Sequence, residues 1–428
     1  MTKQGPVAST DVHRGPARPT KGAGQAALVC AYPKPLAIPL PDSGTVVGRA
    51  WLADQGIEDT EVSSAHLRFR RVGGVLSLTD VGSSNGTWVN GEPIEANQEV
   101  RLDDGSLVRL GTTLLVARRR LLGEPSPAPP IGDMVGPFGL RAVGAAVEGL
   151  AAERPTNVLI EGETGTGKEL TARAVAQAVG RPSPYVAVNV AGLAAGVFES
   201  HLFGHVAGAF SGAGQAAPGI VVAHDGGVVF LDEIGELPQD QQAKLLRLLD
   251  GGEVLAVGAE RPVVVDVVVV AATNRKLEAL VDQGDFRADL YARLAMMRLE
   301  LPPLRDRAED IFPIAQALRG RSGHQLPAEQ CEVEAVERLL LEPWPRNVRQ
   351  LGSVLEATRR RDPDPGLRLW SLQEELGQGP PAKPALTLAL VEATVAACDG
   401  NVTEAARRLG VSRGKLLRMR KQGQKGEG

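Results

Sequence analysis

The chain has 428 residues, with 47 Lys and Arg against 51 Asp and Glu and a formal charge of −4; it is long enough for two to four domains, and any affinity for nucleic acid must come from a local basic face. Its three cysteines, Cys30, Cys331 and Cys398, show neither C-x-x-C nor metal-like spacing, which excludes a disulfide scaffold and fits a reducing compartment. There is no apolar run of membrane-spanning length and no signal-peptide core at the N-terminus, so the expected setting is the cytoplasm, away from membranes.

Residues 1–24 are polar, rich in Gly, Pro and Ala, and lack a periodic apolar face, so a disordered tail carrying Thr10 and Thr20 is expected. From 25 to 120 short β-type segments, among them Val75-Leu76-Ser77-Leu78 and Leu107-Val108-Arg109-Leu110, alternate with Gly, Asp and Asn turns; this spacing predicts a β-sandwich. Residues 121–133 read as a proline-rich linker. Between 134 and 302 apolar strands alternate with helical stretches, which predicts a parallel sheet covered by helices on both faces, and 303–376 turn helical as a lid. A second loose linker, 377–384, precedes a helical C-terminal region, 385–428.

Chemistry concentrates in Gly162-Glu163-Thr164-Gly165-Thr166-Gly167-Lys168-Glu169, which follows the apolar run Val158-Leu159-Ile160 and leads into a helix-like stretch. A loop that wraps a polyphosphate turns its backbone N–H groups inward, and glycines permit the backbone angles this needs. The helix N-terminus and Lys168 add positive charge. Glu169 stands where Ser or Thr usually reaches Mg²⁺, and the string alone is also compatible with a plain glycine turn. Val228-Val229-Phe230-Leu231 reads as a strand buried on both faces and ends in Asp232 and Glu233. At the carboxyl end of a parallel strand both acids face the phosphate loop, where Asp232 can hold Mg²⁺ through its waters and Glu233 can polarise the water that attacks the γ-phosphate of ATP.

Phe210, among small residues in Gly208-Ala209-Phe210-Ser211-Gly212-Ala213, has no regular element on which to be buried, so it is expected to contact another molecule. His201 and His205 lie four apart without a third ligand or an H-E-x-x-H pattern, and are not read as a zinc site. In the C-terminal region Asn401 with Glu404 is a capping pair, Gly410 ends a helix and Ser412 caps the next, whose basic face carries Arg413, Lys415, Arg418, Arg420 and Lys421. Two short helices about a glycine turn make a helix-turn-helix, with DNA as the expected ligand.

Three resemblances extend this reading. Gly48-Arg49, Ser63-Ser64-Ala65-His66 and Ser83-Ser84-Asn85-Gly86-Thr87 with Asn90-Gly91 resemble the forkhead-associated (FHA) domain, which binds phosphothreonine peptides. The resemblance implies that Arg49 and Ser63 hold the phosphate, Ser64 assists in place of the frequent Arg, Asn85 grips the peptide backbone and His66 props the loop. Residues 157–351 look like the AAA+ domain of bacterial enhancer-binding proteins, ATPases that activate sigma-54 RNA polymerase and commonly carry Glu after the phosphate-loop lysine. That likeness implies a hydroxyl duty for Thr166 or water, an Asn189 that switches Glu233, Asn274 and Arg349 as nucleotide sensors, and a hexameric ring in which Arg287 and Arg293 enter a neighbour's site. It also makes residues 208–213 the sigma-54 contact, with Ser211 in place of Thr. The C-terminal region resembles the Fis-type domain that binds enhancer DNA. The implied fold is multidomain: a β-sandwich, an α/β AAA+ P-loop ATPase with helical lid, and an all-α helix-turn-helix. Ser211, Arg346 where Gly is usual, and Val190 where Cys is common keep a second reading open, a phosphopeptide- and DNA-binding regulator that does not remodel sigma-54 polymerase.

Overall fold

A computed structural model describes residues 25–192, 195–211 and 213–377, together with scattered positions between 391 and 416. The expected tail with Thr10 and Thr20, the expected linker at 377–384 apart from Gly377, Gly212, the cap residue Ser412 and the basic residues Arg413, Lys415 and Arg418 lie outside the described residues. The chain divides into two units, Met1–Glu375 and Leu376–Gly428. In the second, Val391, Val395, Cys398, Ala405 and Leu416 bury one another in a small core of their own.

The first unit begins with ten strands: β1 (Gln25–Tyr32), β2 (Leu36–Pro39), β3 (Val46–Val47), β4 (Leu67–Val72), β5 (Val75–Asp80), β6 (Thr87–Val89), β7 (Glu92–Pro93), β8 (Glu99–Leu102), β9 (Leu107–Leu110) and β10 (Thr113–Leu121). They form two antiparallel sheets, β2-β1-β10-β9-β6-β7 and β3-β4-β5-β8. Alternation decides the layering: Leu67 and Phe69 of β4 point into the sandwich while Arg68 and Arg70 stay in water. The inner faces meet in a core that includes Leu28, Val47, Phe69, Leu78 and Leu115. The sequence predicted this layer, but β1 and β10 are apolar on both faces, a sign that the outer face of the larger sheet is also covered.

What covers it comes from the rest of the unit. The second layer is a five-stranded parallel sheet of β11 (Asn157–Glu161), β12 (Tyr185–Asn189), β13 (Val228–Asp232), β14 (Val268–Thr273) and β15 (Arg298–Glu300), in the order β12-β13-β14-β11-β15. Odd and even residues of its central strands feed two separate cores: Leu159, Val229, Leu231 and Ala271 lie in one, and Val158, Ile160, Phe230 and Val270 in the other. Two buried faces require helices on both sides. Among these helices are α1 (Arg141–Glu153), α2 (Lys168–Ala178) and α3 (Gln239–Gly251).

Beyond Pro302 the chain forms α4 (Ile311–Arg321), α5 (Val333–Leu341) and α6 (Asn347–Arg361), preceded by two short 3₁₀ turns over 304–310. Trp344, fully buried, anchors this lid and donates its indole N–H to Leu339 O at 2.9 Å. The lid lies against β1, β9 and β10 of the sandwich. Tyr32 meets Phe312 edge-on at 5.0 Å and donates its hydroxyl to Ala328 O at 2.6 Å. Arg109 of β9 lies with its guanidinium carbon 3.7 Å from the Trp88 ring centroid and its Nη1 2.8 Å from Glu334 of α5. The stretch read as a linker is packed as well: Arg141 donates to Leu122 O and Ser126 O, and Ala128 N to Pro137 O at 2.9 Å. Its prolines therefore serve to lay an extended chain against α1.

Candidate nucleotide and phosphopeptide sites

The glycine loop emerges from β11 at the carboxyl edge of the sheet and enters α2 at Lys168. Gly165 and Gly167 have φ of +81° and +112°, angles that any residue with a Cβ disfavours. At Gly165 crowding adds to conformation, because a Cβ there would lie 2.3 Å from Arg346 O. Lys168 is almost fully buried, donates to Gly162 O at 3.1 Å and stands 3.9 Å from Glu233 Oε1. Its ammonium thus closes the loop on itself beside the acid at the end of β13.

Glu233 adopts a left-handed φ of +58°, an uncommon conformation for a non-glycine residue that concentrates at functional sites. Asn274, just past β14, donates from one amide nitrogen to Thr164 Oγ1 at 3.1 Å and Glu233 Oε1 at 3.3 Å. Asp232 accepts the Glu233 N–H at 3.0 Å on one oxygen. Loop, lysine, both acids and Asn274 are therefore brought together. Asn189 is not joined to Glu233 by a hydrogen bond; its Oδ1 accepts the Gly192 N–H at 3.1 Å. Thr166 is buried and donates its hydroxyl to Glu163 O at 2.8 Å, while Glu169 is exposed and pairs with Arg173.

Several groups at this site carry no pattern in the sequence. Asn347, buried with φ +51°, donates to Glu163 Oε2 and Thr164 O, both at 3.1 Å. Arg305 pairs with Glu163 through two hydrogen bonds of 2.8 and 2.6 Å, and those bonds together with Asn347 hold the Glu163 carboxyl below its ordinary range. Met134, Val135, Leu170 and Ile314 line a small, mainly apolar cavity beside the loop with Thr166 and Gly167. Only the chain's return from the lid reveals that cavity. Arg349 of α6 is exposed, with its Cβ beside Gly165.

Arg287 stands at the N-terminal cap of the short helix Ala288–Leu294 and Arg293 lies in its last turn. Arg287 is exposed and pairs with Asp289; Arg293 donates to Leu249 O and lies 3.2 Å from Asp250. Phe210 is 47 % exposed on a turn closed by Gly208 N to Ala213 O at 2.7 Å, with its ring 5.0 Å from that of His205. Ala209 is partly buried, Ser211 exposed and Ala213 buried.

At one end of the sandwich a second site is assembled from loops. Gly48 lets the chain pass under Ser63 and Ser64, whose carbonyl oxygens would lie 2.4 and 2.2 Å from a Cβ. Arg49 is exposed and anchored by Nε to Val62 O at 3.0 Å. Ser63 Oγ accepts the Ser84 N–H at 3.0 Å, Ser64 is exposed, and Asn85 donates to Glu61 O at 2.8 Å. His66 is fully buried, accepts the Ser63 N–H on Nδ1 at 3.1 Å and reaches Gly86 O from Nε2 at 3.2 Å. Burial lowers its pKa, which fits a neutral ring that donates from Nε2 and joins the two loops. Beneath them Asp80 is pushed up by burial but held lower by hydrogen bonds from Ser83, Thr87 and Gly82.

A phosphate loop backed by a strand-end acid pair, beside a sandwich with a loop-built anion pocket, defines an FHA-linked P-loop protein. Residues 140–300 match the Sigma-54 interaction domain family and 45–111 the FHA domain family. The regulatory protein LuxO of Vibrio cholerae is 39 % identical over 298 residues, covering 62 % of this chain and 56 % of LuxO. The transcriptional regulator NtrC of Rhizobium meliloti is 42 % identical over 229 residues, covering 53 % and 47 %. NtrX from Brucella abortus, solved in complex with ATP, superposes with a TM-score of 0.50 at 28 % identity over 68 % of this chain and 69 % of NtrX. The chain thus carries a sigma-54 interaction domain joined to an FHA domain, and its homologues are NtrC- and LuxO-type sigma-54-dependent activators. It spans about half the length of the curated relatives it matches.

Gly165→Ala tests the geometry of the loop. A left-handed backbone costs an L-residue about 1–2 kcal/mol, and the new methyl group also drives into Arg346 O. We expect affinity for a fluorescent ATP analogue to fall at least about tenfold with the circular dichroism spectrum unchanged; wild-type affinity would contradict the close seating of lid on loop.

Proposed function

We propose that the protein is an ATP-driven transcription activator that remodels sigma-54 RNA polymerase, held at enhancer DNA by its C-terminal helix-turn-helix and controlled by phosphothreonine capture in its FHA domain. The observation that carries this reading is the joint placement of Lys168, Glu233 and Asn274 around one glycine loop, in a chain whose homologues are sigma-54-dependent activators.

In this reading ATP lies along the loop, with its phosphates cradled by the backbone N–H groups of residues 162–168 and its base beside Met134 and Leu170. Glu233 accepts a proton from the water that attacks the γ-phosphorus, and the bond to the ADP oxygen breaks as the new P–O bond forms. Asn274, hydrogen-bonded to Glu233 and Thr164, orients the acid toward the γ-phosphate. Asn189 is assigned a switching role that needs Glu233 to leave its present partners. The donor set fits Mg²⁺: the strand-end Asp232 spends one carboxylate oxygen on Glu233 N–H and keeps the other, while the Thr166 hydroxyl lies inside the loop. Mg²⁺, when bound, would neutralise charge on the β- and γ-phosphates.

Arg287 and Arg293 are assigned to the neighbouring site of a hexameric ring, with Arg349 as the second sensor in its own subunit. Residues 208–213, with Phe210 foremost, are assigned to sigma-54. Arg413, Lys415 and Arg418, with Ser412 as cap, are assigned to DNA. Arg49, Ser63, Ser64 and Asn85 are assigned to phosphothreonine, since a fixed guanidinium with hydroxyl and amide donors on loops matches a phosphate of about two negative charges. The same setting makes the cytoplasm the expected compartment.

Two experiments test the assignments. Lys168→Ala should abolish nucleotide binding, whereas Glu233→Gln should bind ATP and not hydrolyse it, because only the second keeps the cradle while removing the base; normal turnover by Glu233→Gln in a phosphate-release assay would refute the catalytic role. Calorimetric titration with a phosphothreonine peptide library should give binding in wild type that is lost in Arg49→Ala and absent for unphosphorylated peptides. Equal binding by both proteins would remove the sandwich from phosphate recognition even if the ATPase were fully active.

A further inference from the structure

Residues 304–310, Leu-Arg-Asp-Arg-Ala-Glu-Asp, run between the phosphate loop and the sandwich and bond to both. On the loop side Leu304 N donates to Asn347 Oδ1 at 2.7 Å, and Asn347 in turn holds Glu163 and Thr164. Arg305 takes Glu163 in a two-point pair, and Arg307 donates from Nη2 to Thr166 O at 3.3 Å. On the sandwich side Glu309, 2 % exposed, accepts two N–H groups of Arg118 from β10, one of them from Nε at 3.0 Å. Arg118 also donates to Asp306 O at 2.8 Å, and to Asp104 of its own domain at 3.3 Å. Asp310 accepts Phe138 N and Gly139 N, both at 3.0 Å.

Two 3₁₀ turns, 304–306 and 308–310, joined at Arg307 bring the bonds to the loop and the bonds to the sandwich within seven residues of one another. Arg307 is 1 % exposed, and its Nε and Nη1 have no hydrogen-bond partner. The segment is held on the loop side at Glu163 and Asn347, and on the far side at Arg118 and at Phe138 and Gly139. An exposed ion pair would add little, but Arg118 and Glu309 are 11 % and 3 % exposed in their side chains. Removing one partner strands the other as a buried charge without compensation.

We propose that Arg118 of the sandwich is a positioning residue for the nucleotide site, acting through Glu309 and residues 304–310 on the loop at Glu163 and Thr166. The FHA domain is then a working part of the ATPase rather than an appendage on a tether. This inference rests on the nucleotide-binding reading given above. Arg109 holds the sandwich on the lid independently, through Glu334, so that loss of Arg118 alone does not undock the domain.

The test uses the full chain and the variants Arg118→Met and Arg118→Lys. Three quantities are read: affinity for a fluorescent ATP analogue, KM and kcat for ATP, and hydrogen exchange at 162–168 and across β4 and β5. Arg118→Met should weaken analogue binding about fivefold to tenfold, raise KM more than it lowers kcat, and speed exchange at 162–168 while β4 and β5 stay protected. Arg118→Lys, which keeps the charge opposite Glu309 but not the paired N–H groups, should recover part of the loss. Wild-type affinity and exchange in Arg118→Met would overturn the proposal, and so would faster exchange throughout the sandwich, which marks general damage. If wild type proved unable to hydrolyse ATP, exchange at 162–168 in nucleotide-free protein would still decide the matter, so the two failures are distinguishable.

Discussion

The carbonyl of Gly165 accepts the Val348 N–H at 3.0 Å, and the bare Cα of the same residue lies under the carbonyl of Arg346. This contact fixes how the lid meets the phosphate loop, and the rest of the first unit depends on it. A glycine loop on its own is a floppy chain with high conformational entropy. Here it is held by the sheet through Gly162 N to Thr273 O at 3.2 Å, by Lys168 to Gly162, and by Asn347 to Thr164 O. Three separate parts of the chain have to be in place for the loop to be preorganised, and preorganised dipoles stabilise charge where solvent would have to reorient.

Charge is distributed in the same economical way. The protein is net acidic, yet each site keeps a cation of its own: Lys168 at the loop, Arg49 at the sandwich pocket. Other arginines hold buried or half-buried acids, as Arg118 does Glu309, Arg305 does Glu163 and Arg109 does Glu337. Burial drives the Asp310 carboxyl up to about 7 despite two backbone N–H donors and the nearby Arg307. These groups lie where the lid, the start of the α/β layer and the sandwich converge, and a junction built from buried charges specifies its geometry more sharply than an apolar one that can slide.

Much of the site was legible because it is local. The strand, loop and helix at 157–178, the acid pair closing Val228–Asp232 and the serine-rich pocket loops each occupy a few consecutive residues, and backbone rules tie such strings to shape. Arg305 with Glu163 and Arg118 with Glu309 were not legible, since the partners lie 142 and 191 residues apart and no periodicity joins them. Asn347 carries no local signal in the sequence for its left-handed φ or for its bonds back to the loop at Glu163 and Thr164. The prolines at 125–130 suggested a tether by composition, and only the hydrogen bonds of Arg141 reveal a packed strap. Asn189 closes β12 and its side chain accepts the Gly192 N–H, a choice of partner that no local string of residues encodes.

Promoter opening driven by this nucleotide site through Phe210 and its turn is the step on which the proposed function rests. It is tested most directly by permanganate footprinting of a cognate sigma-54 promoter with the purified full chain, sigma-54 polymerase and ATP. Thymines around the start site should become reactive with ATP, stay protected with ADP, and stay protected when Phe210→Ala replaces wild type although ATP is still hydrolysed. Opening that is equal with ATP and ADP, or undiminished in Phe210→Ala, would contradict the account.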